Sequence, residues 1–413
     1  MGKFFKATYL NDPIYGFIAI EDPLLDQIIA HPFFQRLRRI KQMGLSYLVY
    51  PGTHHTRFEH ALGSLHLMQK GIHSLRKKKV AISDEEALAL QAAILLHDIG
   101  HGPFSHATEN IITQNVQHEN ISIEIIKLLN KQWKGALTLA LSIFTNTYHR
   151  KFMHQLIASQ IDMDRLDYLK RDSFYAGTPE GNINVDRLIA VMNVENEQLV
   201  FEKKGIYSIE KFLMARHAMY WQVYLHKTSL VAELMLVKIL NRFRIIAKTN
   251  DSASNIPEAL HYFLTIKPNV LSDEDTLKKY LALDDGDLMQ AIKQWQYHPD
   301  YLLSDFSKRL IERQLLKIKL DFNPLEASVA ALKRKELIAT GIDKKNIDEI
   351  VFEGSVSNQM YVPKENNFIQ IKDGKHIKSL AHYLKYLDLD QFSSPQVKYY
   401  LFDPKPNLRL KSL

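Results

Sequence analysis

The chain has 413 residues, 46% hydrophobic and 24% charged, which is the composition of a globular protein large enough for more than one core. It contains no cysteine, so disulfides, thiolate metal sites and a cysteine nucleophile are excluded, and any metal must be held by histidines and carboxylates. The net charge of +7 suits an anionic substrate or a nucleic acid, although a solvated surface has the same signature. Since no apolar run approaches the ~20 residues that span a bilayer, we expect a cytoplasmic protein without a membrane segment.

The first well-marked element is a buried helix that begins at Ser83. Ser83 and Glu86 form a capping-box pattern, with serine at the N-cap and glutamate three residues later. An alanine- and leucine-rich run follows, and the glycines and proline of 100–103 end it. His97 and Asp98 are thus predicted on the last turn of a buried helix, where polar groups are costly unless something satisfies them.

Helical periodicity continues along the chain and predicts helices over 155–169 and 209–244. Between them, residues 191–208 alternate apolar and polar side chains, which predicts a small β-hairpin. The polar segment 248–255 is the best candidate for a linker, and residues 256–340 again have a helical pattern.

The pattern changes near residue 346 to short runs typical of strands, at 350–352, 368–371 and 397–401. Asp373-Gly374 is a turn signal, and 377–387 predicts a short helix. We therefore expect a mainly α protein with a small β-hairpin and a small α+β module. The expected units are a catalytic domain at 1–248, a helical extension at 256–340 and the C-terminal α+β module at 341–413.

Histidine and aspartate are unusually dense in four segments, at 57–60, 97–106, 118–119 and 161–168. Imidazole and carboxylate ligands suit a divalent ion such as Mn, Fe, Ni, Zn or Mg, which can lower the pKa of a bound water near a phosphoryl group. The adjacent pair His97-Asp98 is weak evidence by itself, because such a dipeptide can simply be a polar helix end. It becomes strong here because an apolar helix precedes it, two further histidines lie within ten residues, and an aspartate-rich helix follows downstream.

Four ordered motifs carry a resemblance to a known family: 35–42, 50–63, 97–106 and 161–172. They resemble the HD-domain deoxynucleoside triphosphate triphosphohydrolases, from about residue 11 to about residue 227. The resemblance implies an HD-domain helical bundle, a homo-oligomer, and a reaction that releases deoxynucleoside and triphosphate from a nucleotide substrate.

The resemblance also implies a divalent metal ion held by His60, His97, Asp98 and Asp164. Asp162 is the nearest rival to Asp164, but the family places its ligand at the second aspartate of the Asp-x-Asp pattern. Asp162 is therefore interpreted as a helix cap or as a partner of a ligand.

The histidines implied to be catalytic are His101, His106 and His118, with Glu109 as an orienting carboxylate. One histidine would protonate the departing 5′-oxygen of the sugar while an activated water attacks the α-phosphorus. Glu109 would raise the pKa of His118 and fix its tautomer. The residues alone do not separate the three candidates for the proton donor.

Three arginines, Arg57, Arg165 and Arg216, resemble the phosphate contacts of the family, and arginine suits this role because its fork matches phosphate oxygens. Arg165 stands where the vertebrate member of the family has lysine. The residues implied to meet the sugar are Gln42, Tyr168, Asp172 and Tyr224. Among these, Tyr224 resembles the aromatic residue that excludes a 2′-hydroxyl, although core packing is an alternative for both tyrosines.

Two further functions stay open. The chain could be an HD phosphohydrolase for another nucleotide or a phosphomonoester. It could also be a non-catalytic nucleotide- or nucleic-acid-binding protein, as the basic clusters at 308–319 and 333–335 suggest, although such clusters are commonly solvated helix faces. Four potential ligands and three histidines favour an enzyme, because a binding protein has no chemical need for them.

Overall fold

The structure is a computed structural model that describes residues 6–114, 116–248, 256–266, 268–339, 341, 344–358, 368–384 and 394–402. The expected mainly α fold is confirmed, since helices dominate and the sheets are small. Within these described residues, the helices are all too short or too polar to cross a membrane.

The helices of the N-terminal part are α1 Pro23–Ala30, α2 Pro32–Gln35, α3 Arg57–Lys77, α4 Asp84–Leu96, α5 His106–Ile112, α6 His118–Gln132, α7 Thr138–Phe144, α8 Lys151–Gln155, α9 Met163–Ala176, α10 Val185–Val191, α11 Ile206–Met219 and α12 Lys227–Ala247. Those that follow are α13 Glu258–Thr265, α14 Glu274–Leu281, α15 Asp285–Trp295, α16 Tyr301–Ile311, α17 Ala327–Ala339 and α18 Ile347–Ile350. Short 3-10 turns cover Arg36–Arg39, Gly44–Leu48, Pro179–Gly181, Lys203–Gly205, Lys344–Asn346 and Leu380–His382.

The strands form three small sheets. They are β1 Thr8–Asp12, β2 Gly16–Ile20, β3 Met192–Glu195, β4 Gln198–Glu202, β5 Ile318–Asp321, β6 Glu353–Asn358, β7 Gln370–Asp373, β8 His376–Ser379 and β9 Gln396–Phe402. Strands β1 and β2 make a hairpin, the second sheet has the order β3-β4-β7-β8, and the third has the order β5-β9-β6.

Helix α3 is the scaffold of the N-terminal half, and it packs against both α9 and α4. It begins behind a capping box made by Thr56 and Glu59. Gly63 lets α9 come close, because a side-chain carbon at this position would stand only 2.0 Å from Asp167 Oδ1. The close contact brings His60, one turn into α3, beside the first turns of α9 and the end of α4.

The capping box predicted at Ser83 is confirmed, but the helix predicted over 155–169 is wrong in its bounds. Helix α8 ends at Gln155, and α9 begins only at Met163. The break forms because Asp162 accepts the backbone N–H of Arg165 at 2.7 Å and so caps a new helix. Apolar residues of the intervening turn stay buried, which explains why the apolar pattern runs through it.

The single helix predicted over 209–244 is also wrong, because it is two helices joined by a π-helical turn, Tyr220–Tyr224. The N–H of Leu225 donates to the carbonyl oxygen of Tyr220 at 2.8 Å, which widens this turn. Helix α12 then restarts behind His226, whose ring nitrogen accepts the N–H of Thr228. The turn places two tyrosines, Tyr220 and Tyr224, in the wall of the cavity described below.

The predicted β-hairpin is confirmed as β3 and β4, although it is shorter than 191–208 because the chain turns helical from Lys203. The strands expected at 368–371 and 397–401 are confirmed as β7 and β9 within two residues at each end. The strand expected at 350–352 is wrong, since Ile350 ends α18 and β6 begins at Glu353.

The helix predicted over 377–387 is wrong as far as the structure describes it, up to residue 384. Residues His376–Ser379 form strand β8 instead. The turn signal at Asp373-Gly374 is real, with a φ of 61° at Gly374, and it folds β8 back against β7 as a hairpin. Pairing with β7 therefore determines the conformation of residues 376–379, although their sequence has a weak helical pattern.

Strand pairing crosses the boundaries expected between the three units. Strand β4 of the N-terminal part pairs in parallel with β7, and β5 of the helical extension pairs with β9. Residues 249–255 of the expected linker lie outside the described residues. The division into three units stays a prediction.

Candidate metal centre and substrate cavity

Two imidazoles and two carboxylates converge where α3, α4 and α9 meet. His60 lies on α3, His97 and Asp98 directly follow α4, and Asp164 lies in the first turn of α9. The Nε2 atoms of His60 and His97 are 3.3 Å apart, and they lie 3.1 and 3.5 Å from Asp164 Oδ1. Asp98 Oδ1 is 3.4 Å from the Nε2 of His97. The four residues predicted as metal ligands are thus brought together.

The other ring nitrogen of each histidine is held by a fixed acceptor. His60 Nδ1 lies 2.7 Å from Asp167 Oδ2, and His97 Nδ1 lies 2.6 Å from the carbonyl oxygen of Ile94. Asp167 is itself held by Arg171, whose Nε and Nη2 donate to its two oxygens. These contacts place the N–H on Nδ1 of both rings, so both Nε2 lone pairs face the cluster as metal ligation requires.

The cluster fits a divalent cation in spacing and in charge. Ligands at ~2.1 Å from one ion lie roughly 3.0–3.4 Å from each other, which matches the observed separations. Burial by itself lowers the pKa of His60, but hydrogen bonds to Asp164 and Asp167 raise it to about 10. Burial opposes the ionisation of Asp98, yet the charges of His97 and Arg57 hold its pKa well below the usual range. The site therefore favours positive charge at its centre.

A pair of stacked histidines lies beside the cluster. His101 and His118 have ring centroids 3.6 Å apart, and His101 Nε2 lies 3.4 Å from Asp98 Oδ1. His118 Nδ1 lies 2.7 Å from Glu109 Oε1, as expected for an orienting carboxylate. Burial and the nearby charge of Arg57 lower the pKa of His101 well below the usual value. His101 is thus a neutral ring, whereas His118 has a carboxylate at its side.

His106, the third predicted histidine, begins α5, but its side chain lies outside the described part of the structure. The loop before it contains Phe104 and Ser105, both in the left-handed backbone region with φ of 51° and 49°. Asp285 on α15 accepts the N–H of Phe104 at 2.7 Å and the N–H of Lys41 at 2.9 Å. A residue of the helical extension therefore fixes this strained loop.

The three predicted phosphate-binding arginines have different surroundings. Arg57 is buried, donates through Nη1 to Asp98, and donates through Nε and Nη2 to Ser105 Oγ. Arg165 donates to the carbonyl oxygen of Ser159 at 2.7 Å and lies in the cavity wall. Arg216 is buried, and its Nε and Nη1 have no hydrogen-bond partner among the described residues.

The predicted sugar-binding residues also come together. Tyr224 Oη donates to Asp172 Oδ2 at 2.7 Å, and the rings of Tyr168 and Tyr224 meet edge to face at 6.3 Å. Asp172 Oδ1 lies 2.7 Å from His55 Nε2. Gln42 lies in the same wall, and its Oε1 is buried without a hydrogen-bond partner in the described chain.

These groups line one cavity of about 360 Å³. Of the predicted site residues, those in its wall are Gln42, Arg57, Asp98, His101, His118, Asp164, Arg165, Tyr168, Asp172 and Tyr224. His60, His97, Glu109 and Arg216 are outside the wall, although the first three contact residues that belong to it.

The sequence did not single out several residues that shape the site. Asp167 and Arg171 follow Asp164 at helical spacing on α9, so the spacing itself could have identified them as one face. His55, which supports Asp172, and Glu233, which lines the cavity from α12, carry no comparable local signal.

The basic clusters at 308–319 and 333–335 are partly neutralised within the chain. Arg309 donates to Asp305 at 2.6 Å, and Arg334 donates to Asp348 at 2.9 Å. Solvated helix faces explain such internally paired charges, so these clusters do not favour a nucleic-acid interface.

Comparison with protein families matches residues 57–172 to the HD domain and residues 183–259 to the HD associated region. The first match contains His60, His97, Asp98 and Asp164, and the second contains Arg216 and Tyr224.

The chain is also similar to individual proteins. The chain is 33% identical over 350 residues to the uncharacterized protein YwfO of Bacillus subtilis, covering 83% of this chain and 78% of that protein. It is 29% identical over 293 residues to the deoxynucleoside triphosphate triphosphohydrolase SAMHD1 homolog of Dictyostelium discoideum, covering 66% of this chain and 56% of that protein. The crystal structure of a phosphohydrolase from Bacteroides thetaiotaomicron superposes with a TM-score of 0.91 at 43% identity, covering 97% of this chain and 100% of that one.

Proposed function

Because this chain belongs to the HD-domain family of phosphohydrolases, we propose that it hydrolyses deoxynucleoside triphosphates to deoxynucleoside and inorganic triphosphate. The observation that carries the proposal is the joining of two features in one cavity. Asp98 and Asp164 of the His/Asp cluster line the same cavity as Arg57 and Arg165 and as the Tyr224–Asp172 pair suited to a sugar. The family relation to a named triphosphohydrolase adds support for this substrate.

We propose His60, His97, Asp98 and Asp164 as the ligands of a divalent cation. When bound there, such an ion lowers the pKa of a water and neutralises charge on a phosphoryl oxygen. Asp167 and the Ile94 carbonyl keep both imidazoles in the ligating tautomer. These outer contacts therefore control how well the ion is held.

His118 is the proposed general acid. As the bond between the α-phosphorus and the 5′-oxygen breaks, His118 protonates that oxygen, and water supplies the new oxygen on phosphorus. Glu109 holds Nδ1 of His118, so the proton is delivered from Nε2. His101 is less suited to donate a proton, because burial and Arg57 keep it neutral. It is proposed to position His118 by stacking on it.

Arg165 and Arg216 are the proposed contacts for the triphosphate. The buried N–H groups of Arg216 that lack partners in the described residues suit an anionic ligand. Arg57 already uses three of its N–H groups on Asp98 and Ser105, so its main proposed role is to hold both of them. Tyr168 and Tyr224 are proposed to pack on the sugar, where Tyr224 crowds a 2′-hydroxyl, with Gln42 and Asp172 at the 3′-hydroxyl.

A substrate screen tests this function. The purified chain is incubated with each deoxynucleoside triphosphate, singly and mixed, with Mn²⁺ and with Mg²⁺, and the products are separated by ion exchange. We expect deoxynucleoside together with intact triphosphate. Release of a monophosphate or of orthophosphate would assign the site to a different phosphohydrolase reaction and contradict the proposal.

A variant pair shows whether the cluster carries the activity. His97→Ala is expected to lose turnover and bound metal together, because it removes a ligand. His73→Ala changes an exposed histidine on the same scaffold helix α3 and should retain both. Turnover that survives in His97→Ala would place the chemistry elsewhere.

We also propose a homo-oligomer, as the family resemblance implies. Light scattering coupled to size-exclusion chromatography measures its mass, and a monomer at all concentrations would contradict this.

A further inference from the structure

Glu233 is an acidic residue in the cavity wall that the proposed mechanism does not use. It lies on α12, in the same cavity as Gln42, Met43, Gly44 and Phe104. Within the described part of the chain its carboxyl has no ion pair or hydrogen bond. Burial alone raises its pKa to about 7.

Glu233 is half-buried in the cavity wall, and an acid in this position without a partner is costly to the folded protein. Removing a carboxylate from water without a partner disfavours folding, and nearby cations normally offset that cost. The arginines of the cavity are committed near the metal cluster and the tyrosines, and none lowers the pKa of Glu233. A group of this kind is best explained by a partner that arrives with the ligand.

The part of the cavity wall around Glu233, called the slot below, contains Gly44, Met43 and Phe104. Gly44 has no side chain, and a carbon built on it would stand 3.6 Å from Glu233 Oε1 and 3.9 Å from the carbonyl oxygen of Phe104. The side chains of Met43 and Phe104 add apolar surface to the same wall. Gln42 Oε1, next in sequence to Met43, is an acceptor without a partner in the described chain, which the proposed function assigns to the 3′-hydroxyl, so the two oxygens of Glu233 are the acceptors left for a base. The slot thus combines apolar faces with acceptors and calls for a ligand rich in N–H donors.

We propose that Glu233 reads the nucleobase of the substrate and selects guanine. This rests on the proposed function, in which a deoxynucleoside triphosphate occupies the cavity. Guanine presents two adjacent N–H donors, at N1 and at its exocyclic amino group, and a carboxylate accepts both in a bidentate pair. Thymine presents a single N–H between two carbonyl oxygens, which repel the carboxylate. A site whose buried polar groups are left unpaired by the wrong ligand discriminates strongly.

Internal competition tests the selection. Equimolar dGTP, dATP, dCTP and dTTP are mixed in one reaction at pH 8, and the four deoxynucleosides are quantified at low conversion. Because all four share one tube, any activating effect of a nucleotide acts on every substrate equally. We expect roughly tenfold more deoxyguanosine than thymidine from the unaltered chain, the size of one well-made recognition contact.

Glu233→Gln keeps the size of the side chain but offers one acceptor and one donor instead of two acceptors. It is expected to reduce the ratio of deoxyguanosine to thymidine to within about threefold of unity, mainly through slower release of deoxyguanosine. Glu180→Gln, at an exposed glutamate without a partner in the described chain, is the matched control and should keep the original ratio.

Equal products from the unaltered chain, or an unchanged ratio in Glu233→Gln, would overturn the selection while leaving the hydrolase intact. If none of the four nucleotides is hydrolysed, the proposed function fails, and thermal-shift titration with dGTP and dTTP still tests the slot. A larger Tm increase with dGTP that disappears in Glu233→Gln supports base reading, and equal increases refute it.

Discussion

Two carboxyl groups near the cavity, one buried and one half-buried, show how the partner of an acid determines its character. Asp167 is fully buried, yet Arg171 and His60 hold it, and their charges and hydrogen bonds overcome the effect of burial to lower its pKa. Glu233 has no such partner, so burial raises its pKa to about 7. Asp167 therefore supports His60, whereas the carboxyl of Glu233 is available to accept hydrogen bonds from a ligand.

The raised pKa of Glu233 makes a pH-dependent contribution to stability. The folded chain keeps this proton up to about pH 7, whereas the unfolded chain releases it near 4.5. The contribution of the protonated acid is therefore complete below pH 4.5 and is lost as the pH rises through about 7. We expect Glu233→Gln to raise Tm relative to the unaltered chain by several degrees at pH 8 and by little at pH 5.

Thermal unfolding at both pH values, in metal-containing buffer without nucleotide, measures this difference. Glu180→Gln serves again as the control and should show the same offset at both pH values. An offset for Glu233→Gln that does not depend on pH would mean that the carboxyl has a partner in the folded chain.

At the scale of elements, α14 and α15 hold loops of the site in place through hydrogen bonds, an arrangement called the clamp below. Asp285 accepts backbone N–H groups from Lys41 and Phe104, which lie in the two loops that contribute Gln42 and Ser105 to the cavity wall. Tyr280 Oη donates to the carbonyl oxygen of Gly100 at 2.9 Å. The helical extension thus joins in shaping a site whose proposed metal ligands all come from the N-terminal part.

Asp285→Ala removes this clamp and is expected to lower the free energy of unfolding by about 2–3 kcal/mol, since it leaves two N–H groups unpaired. It should also lower kcat/KM for the best nucleotide while metal content stays unchanged, because the ligands belong to α3, α4 and α9. Urea unfolding, metal analysis and initial rates measure the three quantities. Asp275→Ala, at an exposed position on α14, is the control, and equal effects of the two substitutions would show that Asp285 has no special role.

Local patterns in the sequence predicted the elements that carry their own signals. The capping box at Ser83 and the turn at Asp373-Gly374 are both present, since each depends on residues only a few positions apart. The helix cap expected as one role of Asp162 is present, but the start of the helix was predicted too early, at 155, because buried apolar residues continue the helical period up to the cap. Asp285 could not be predicted at all, since its partners lie 181 and 244 residues away.

The site also contains residues that have a local signal in the sequence and residues that have none. The positions of His60, His97, Asp98 and Asp164 followed from motifs with a specific order, and the structure brings these four side chains together. Their role as metal ligands stays a prediction. Glu233 lies in an amphipathic helix and has no local signal of a site in the sequence. The packing of α12 against the loop around Gly44 places it in the cavity wall.

At the scale of the whole molecule, the C-terminal segments complete sheets that begin much earlier in the chain. Strand β9 lies between β5 and β6, and β7 pairs with β4. Leu401 and Phe402 are buried, so these contacts include part of the core. The tail is thus joined to the rest by backbone pairing as well as by covalent connection.

Truncation after residue 340 is expected to lower Tm by several degrees and to promote aggregation, because it exposes the edges of β4 and β5. Metal content should stay close to that of the full chain, since the truncated chain retains α3, α4 and α9, which position the four proposed ligands. Differential scanning calorimetry, light scattering and metal analysis measure these effects. A chain that ends at residue 402 is the control, and an unchanged Tm after the longer truncation would mean that the tail is an independent module.

The pairing of β4 with β7 also has a consequence for biosynthesis. Phe201 of β4 pairs with Ile371 of β7, so 170 residues must be made before this edge finds its neighbour. At usual translation rates of about 5–20 residues per second, the nascent chain presents an open strand edge for roughly 10–30 s. During that interval the open edge of β4 can pair with strands of other nascent chains on the same messenger RNA. In the completed chain β7 covers this edge, so such association is no longer possible there.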